Sequence, residues 1–314
     1  MLKKVFLVRP RGFCAGVARA IKILDFVVAK YPPPIYVKNI IVHNETVAKR
    51  FKAKDVVFVN DINEVPDGSV LVYSAHGVHP NIKLIADKKS LIQIDATCPL
   101  VTKVHSAAKM FYNQGYKIII IGHKNHPEVI GINGEANDLA YIIENEKGAE
   151  SFIKKNKSFI DNKIAYVSQT TFNMFLIKNI IEKLKIAFPF IETIPSSSIC
   201  FATFNRQKAL SNLLTKEGDI DLALIIGDKR SSNANRLVDI ALANNVETFL
   251  IQNESELTIE IVSNKYNIAI TSAASTPESC FDKCILKLKE MITPLQIEKG
   301  KGVKKEMSFS IPRL

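Results

Sequence analysis

The chain has 314 residues, 47% of them apolar and 23% charged. That is enough to bury more than one core, and it excludes a disordered chain, a collagen and a small disulfide scaffold. The net charge of +11 comes mostly from lysines spread along the whole length. Such a spread is a basic composition rather than a nucleic-acid footprint, so neither a nucleic-acid nor a membrane partner is expected.

Lys3 and Lys4 precede an apolar stretch, Val5 to Val8, that stops at Arg9-Pro10-Arg11. A secretory core needs about 7–15 apolar residues, so this stretch reads as the first strand, Lys4–Val8. A helix is predicted over Val17–Ala29, with Val17, Ile21, Leu24 and Val28 at helical spacing. Strands are predicted next at Pro34–Lys38, Val56–Asn60, Val70–Tyr73 and Leu91–Ile94, then a helix over Leu100–Asn113 closed by Gly115. Strands at Lys117–Ile121 and Lys163–Val167 come before a helix over Arg206–Lys216 closed by Gly218. Strands at Asp221–Ile226 and Asn267–Thr271 complete the pattern. Continuous apolar runs of this length suit parallel strands covered on both faces, and their alternation with helices predicts an α/β fold. No run reaches bilayer length, and the chain reads as cytoplasmic, where thiols stay reduced.

Five cysteines, Cys14, Cys98, Cys200, Cys280 and Cys284, include no close Cys-x-x-Cys pair, which argues against a disulfide framework and a zinc ribbon. Cys14, Cys98 and Cys200 each fall where a loop turns into a predicted helix. Each is followed at a similar distance by a polar strand-end residue (His43, His126, Ser232) and then by another (His76, Thr170, Ser275). This irregular repeat predicts three similar α/β units, 1–96, 97–198 and 199–290, with a tail at 291–314 packed across them. Ligands of parallel sheets bind beyond the carboxyl ends of the strands, near helix N-termini that favour anions.

Three thiols from three units suit a metal centre with one open position: an iron–sulfur cluster, or a catalytic zinc, although zinc sets more often include histidine. Free cysteine is also a common small core residue. That reading is adopted for Cys280 and Cys284, four apart on an apolar helix face with Ile285 and Leu288. Of the six histidines, His43, His76, His123 and His126 fall at or just after strand ends, while His79 and His105 fall within or beside helices. Converging histidines with Ser231-Ser232-Asn233 suit a phosphate or diphosphate, whereas the P-loop and Gly-x-Gly-x-x-Gly motifs are absent. Glu128, in His126-Pro127-Glu128, reads either as a general acid acting directly or through Thr170 or as a solvated loop carboxylate.

These blocks resemble the 4-hydroxy-3-methylbut-2-enyl diphosphate reductase family, also called IspH or LytB. The resemblance is carried by Pro10–Val17, Val42-His43-Asn44, Ser74–Val78, Asp95–His105, Gly122-His123 and His126–Val129. It continues through Gln169-Thr170-Thr171, Cys200–Thr203, Asn205-Arg206-Gln207, Ser231-Ser232-Asn233 and Asn235-Arg236-Leu237. It implies three α/β units, with small parallel sheets arranged pseudo-threefold around one 4Fe–4S cluster per chain held by Cys14, Cys98 and Cys200. It implies substrate binding by His43, His76, His126, Thr170, Ser231, Ser232, Asn233 and Ser275, with Glu128 as proton donor. The implied reaction is the last step of the non-mevalonate isoprenoid route. Two electrons from a ferredoxin- or flavodoxin-like partner and two protons remove an allylic hydroxyl, giving isopentenyl and dimethylallyl diphosphates. One departure stands out: Ala274 precedes Ser275 where the family often has Gly. A zinc-dependent hydrolase of a phosphorylated metabolite and a non-enzymatic iron–sulfur redox sensor are the alternatives.

Overall fold

The structure is a computed structural model and describes residues 3–194, 200–216, 219–300 and 308–312. The chain opens with β1 (Lys3–Leu7), α1 (Ala15–Lys30), β2 (Ile35–Lys38), α2 (Glu45–Lys52), β3 (Val56–Val59), β4 (Val70–Tyr73), α3 (Pro80–Lys88) and β5 (Ile92–Asp95). It continues with α4 (Pro99–Asn113), β6 (Lys117–Ile121), α5 (Pro127–Glu135), β7 (Tyr141–Ile143), α6 (Glu146–Lys155), β8 (Ile164–Ser168), α7 (Met174–Ala187) and β9 (Glu192–Thr193). The last stretch carries α8 (Phe201–Lys216), β10 (Leu222–Ile226), α9 (Ser232–Ala243), β11 (Glu247–Ile251), α10 (Ile259–Val262), β12 (Asn267–Ser272), α11 (Glu278–Met291) and β13 (Leu295–Lys299).

The strands form three small parallel sheets in the orders β3-β2-β4-β5, β7-β6-β8-β9 and β11-β10-β12-β1-β13. The expected α/β fold is therefore present. Two compact units contain these sheets. The five-stranded unit comprises Met1–Ala18, Val42–Arg50 and Phe201–Phe309; the two-sheet unit comprises Arg19–Ile41, Phe51–Cys200 and Ser310–Leu314.

Within the five-stranded unit every residue of β10 is buried, because both sheet faces are covered. Leu222, Leu224 and Ile226 pack with Phe281, Cys284 and Leu288, while Ala223 and Ile225 pack with Leu210, Leu237 and Ile240. The two-sheet unit repeats the device at β6. Ile119 and Ile121 meet Phe152, Phe172, Ile180 and Leu184; Ile118 and Ile120 meet Val104, Phe111, Val129 and Ile132. Alternate residues of one apolar strand thus seed two cores.

Two placements differ from a strictly sequential division. β1, the strand before Cys14, pairs with β12 and β13 in the five-stranded sheet, and the tail expected at 291–314 begins at the last residue of α11 and carries β13. α8 starts at Phe201, five residues before the expected Arg206, since Phe201–Asn205 lacks the apolar spacing that marks a buried helix start. Gly218, expected to close it, lies outside the described residues. No helix among the described residues is long and apolar enough to cross a membrane.

Phe281 is the largest aromatic filler of the five-stranded core, with the Arg11 guanidinium 4.1 Å from its ring centroid. Phe281→Ala should lower the unfolding free energy by about 3–5 kcal/mol, the cost of a buried aromatic cavity, measured by denaturant titration.

Candidate active site

In a parallel sheet each strand ends where a helix begins, so the unpaired N–H groups of the helix lie beside whatever polar side chains end the strand. Candidate residues of the five-stranded unit occupy such ends. Ser231 is the N-cap of α9, its Oγ accepting from Ala234 N at 3.4 Å, and Ser232 and Asn233 form the first turn. Ser275 lies in the loop after β12. Its Oγ donates to the His43 carbonyl at 2.9 Å and lies 3.4 Å from Ser231 Oγ, so His43, Ser231 and Ser275 form one set. Asn233 is 4% exposed, and both its side-chain Nδ2 and Oδ1 are buried without a hydrogen-bond partner among the described residues. A buried amide with neither end satisfied is costly, and it is the kind of group an oxygen-rich ligand would pair. Ala274 has no left-handed backbone, so a glycine is not needed there, and its carbonyl accepts from Cys14 N at 3.0 Å.

Electrostatics around this set are built by residues the motif reading passed over. Burial alone would raise the Asp228 carboxyl, but Arg230 donates to it from its backbone N, Nε and Nη2 and brings it below the usual range. Arg230 also reaches Glu45 Oε2 at 3.0 Å. Burial pushes the His43 imidazole below its ordinary value, partly offset by Asp228 and reinforced by Arg230. His43 is therefore neutral at neutral pH, and an anion beside it would restore its proton. Asp-x-Arg just before Ser-Ser-Asn was the available signal.

The loop before Cys14 is pinned from three sides. Gly12 N donates to Ser272 Oγ at 2.9 Å, and the Gly12 carbonyl accepts from Arg206 Nη2 at 2.9 Å. Arg11 Nε donates to Glu278 Oε1 at 3.0 Å. Gly12 has φ +77°, and a Cβ there would lie 2.7 Å from Glu278 Oε2, so only glycine suits the turn.

The two-sheet unit holds the other candidates. The His76 and His126 rings meet edge to face, with centroids 5.6 Å apart. His126 is the N-cap of α5; its Nδ1 accepts from Glu128 N at 3.2 Å, which leaves Nε2 to carry the proton of the neutral ring. Glu128 is 1% exposed. Thr170 N donates to its Oε1 at 2.7 Å and Thr170 Oγ1 to its Oε2 at 3.2 Å, so the sequence-predicted pair is brought together. Burial raises the Glu128 carboxyl to about 7 against those two hydrogen bonds. The neighbouring Gln169 is fully buried, its Oε1 accepting from His123 N and its Nε2 donating to Thr171 Oγ1.

None of the five cysteines forms a disulfide. Cys14 precedes α1 and its Sγ accepts from Val17 N at 3.5 Å; Cys98 is the N-cap of α4; Cys200 immediately precedes α8. Each thus stands at a helix start, where backbone N–H groups favour an anionic ligand set. Cys98 N donates to the Ala75 carbonyl, tying its loop to that of His76. Cys280 and Cys284 differ in kind: burial raises both thiols, Cys284 to about 12, which suits core packing and not ligation. Among the described residues no group of three or more His, Cys, Asp and Glu that could hold a metal is found. The fit of Cys14, Cys98 and Cys200 to a thiolate-held cluster rests on the donor chemistry of each.

A family model described as LytB protein matches residues 5–289. The 4-hydroxy-3-methylbut-2-enyl diphosphate reductase of Chlamydia trachomatis serovar D is 45% identical over 314 residues, covering 99% of each chain. The apicoplast protein of that name from Plasmodium falciparum is 48% identical over 276 residues, 88% of this chain and 50% of its own. Among solved structures, the E-1-hydroxy-2-methyl-but-2-enyl-4-diphosphate reductase from Plasmodium falciparum matches with a TM-score of 0.91 at 44% identity, over 99% of this chain and 96% of that one. A second solved structure, an (E)-4-hydroxy-3-methyl-but-2-enyl diphosphate reductase described as the terminal enzyme of the non-mevalonate pathway, matches at 0.63 and 29% identity, over 92% of this chain and all of that one.

Glu128 makes a pH signature. Between its unfolded value near 4.5 and its folded value of about 7, the folded protein binds the proton and the unfolded chain does not. Stability contributed by this group therefore falls as pH rises through that window and is level above it. The stability of Glu128→Gln relative to the parent should improve across the window, as followed by urea unfolding at a series of pH values. A difference that is flat with pH would mean the carboxyl is ionised throughout.

Proposed function

The chain belongs to the LytB family, and from that premise we propose that it reduces (E)-4-hydroxy-3-methylbut-2-enyl diphosphate to isopentenyl and dimethylallyl diphosphates. It is an enzyme of the oxidoreductase class. The observation that carries the finer reading is Glu128: a buried carboxyl with its proton held to about pH 7, gripped by Thr170 and two residues from His126.

Removing an allylic hydroxyl breaks one C–O bond, forms one C–H bond and releases water, consuming two electrons and two protons. A 4Fe–4S cluster held by Cys14, Cys98 and Cys200 would supply the electrons and a Lewis-acidic iron with an open position, recharged by a ferredoxin- or flavodoxin-like donor. The chain's own groups do the rest. Ser231, Ser232, Asn233 and Ser275 offer hydroxyl and amide donors, together with His43, to diphosphate oxygens. The same reading assigns the His76 and His126 imidazoles to the substrate. Glu128, its carboxyl raised to about 7, would hold one proton, and Thr170 Oγ1, 3.2 Å from its Oε2, would hand it to the leaving hydroxyl. Delivery of the other proton to either end of the allylic unit accounts for two products.

Anaerobically purified protein should contain iron and labile sulfide. Zinc without sulfide would point to a hydrolase, and a cluster whose spectrum ignores the allylic diphosphate would point to a sensor. Cys14→Ser, Cys98→Ser or Cys200→Ser should each lose iron, while Cys280→Ser keeps it. Glu128→Gln should keep iron and bind substrate, yet turn over at least about 100-fold more slowly; normal turnover would remove Glu128 as proton source. Because His43 is neutral before binding, diphosphate binding should be accompanied by proton uptake on its imidazole near neutral pH. Calorimetry in buffers of different ionisation enthalpy reads this directly, and buffer-independent heats would remove His43 as a charged donor.

A further inference from the structure

Three histidines take no part in the reaction just described, and two of them, His79 and His105, rest on one helix. Helix interiors disfavour glycine, yet α5 carries two, Gly131 and Gly134, three apart and so on one face. A Cβ on Gly131 would lie 2.6 Å from His105 Cε1 and 3.0 Å from its Nε2. A Cβ on Gly134 would collide with the His79 ring. Each glycine is therefore a seat for an imidazole edge.

Each ring is also held by an acid at the far end of α5. His105 Nδ1 lies 3.7 Å from Glu135 Oε1, and the neighbouring His105 ring keeps that carboxyl below its usual range. His79 Nε2 lies 3.1 Å from Asp138 Oδ2, while its Nδ1 accepts from Asn81 N as the N-cap of α3. Asn133 Nδ2 donates to Asp138 Oδ1 and fixes the acid in turn.

His105 is 8% exposed, and its Nε2 is buried with no hydrogen-bond partner among the described residues. That edge also faces Gly77, where a Cβ would lie 3.1 Å from both Cε1 and Nε2. Gly77 follows His76 at φ +75°. One ring on α4, whose N-cap is Cys98, thus touches both the His76 loop and the helix that starts with His126 and Glu128.

We propose that His105 and His79 form a two-point clamp that sets how deeply α5 seats, and that His105 is the positioning residue fixing His126 and Glu128 relative to His76. The proposal rests on the diphosphate reading of those residues. A displaced α5 would separate the two imidazoles and admit water to Glu128, without touching a thiol.

The test is Gly131→Ala in the intact, anaerobically purified protein, with His105→Ala and the double variant. Gly131→Ala should keep its iron and sulfide but bind inorganic diphosphate at least about 10-fold more weakly by calorimetry, as expected for displaced binding groups. In the double variant the methyl occupies the space the ring vacated, so the loss should be clearly smaller than the sum of the two single losses. Glu135→Gln, which adds no volume, should weaken binding in the same direction and serves if Gly131→Ala does not fold. The upper end of the Glu128 pH window should also move down from about 7 in Gly131→Ala. Parent-like binding and an unmoved window in Gly131→Ala and Glu135→Gln, or strictly additive losses, would overturn the clamp. If the parent itself fails to bind diphosphate, the functional reading falls and the window alone decides the clamp.

Discussion

Parallel strands covered on both faces cannot turn back by a hairpin; each must hand the chain to a helix that returns it to the start of the sheet. That constraint organises this molecule. It places a loop, a helix start and a set of unpaired N–H groups at the carboxyl end of each strand, and it is there that Cys14, His43, Cys98, His126, Ser231 and Ser275 occur. The apolar alternation within β6 and β10 gives rigid platforms. The polar residues just beyond them inherit that rigidity through backbone bonds such as Cys98 N to Ala75 O and Cys14 N to Ala274 O. Reactive groups are thus fixed by the strands' own packing.

Two buried acids illustrate how neighbours decide chemistry. Asp228 and Glu128 are both almost inaccessible, and burial pushes both toward the neutral form. Arg230 supplies three donors and a positive charge to Asp228, which stays ionised and opposes the depression of the His43 pKa. Among the described residues Glu128 receives the two neutral donors of Thr170, and these do not compensate for lost solvent. One carboxylate therefore stays charged beside His43 while the other leans toward its neutral form.

Central strands were legible in the sequence because burial on two faces demands unbroken apolar runs, and β1, β2, β4, β6, β8, β10 and β12 all have them. The strands passed over, β7, β9, β11 and β13, are edges, where one flank faces no partner strand and composition is less constrained. Motif residues were readable because their types are chemically scarce at strand ends. The partners that tune them were not: Asp228 and Glu45 are ordinary acids until the fold sets Arg230 between them. Gly131 and Gly134 look like poor helix formers until two imidazole rings are found seated on them.

The five-stranded sheet is assembled from both ends of the chain, with β1 inserted between β12 and β13. The other two sheets draw on contiguous stretches, Ile35–Asp95 and Lys117–Thr193. During synthesis those two can close as they emerge, whereas β1 must wait for residues made near the end. The bonds that fix the Cys14 loop come from Arg206, Ser272 and Ala274, all made more than half a chain later. Cys14 is therefore made long before the residues that hold its loop in place. The geometry of that loop is thus a late product of the chain, set only once Arg206, Ser272 and Ala274 have joined the fold.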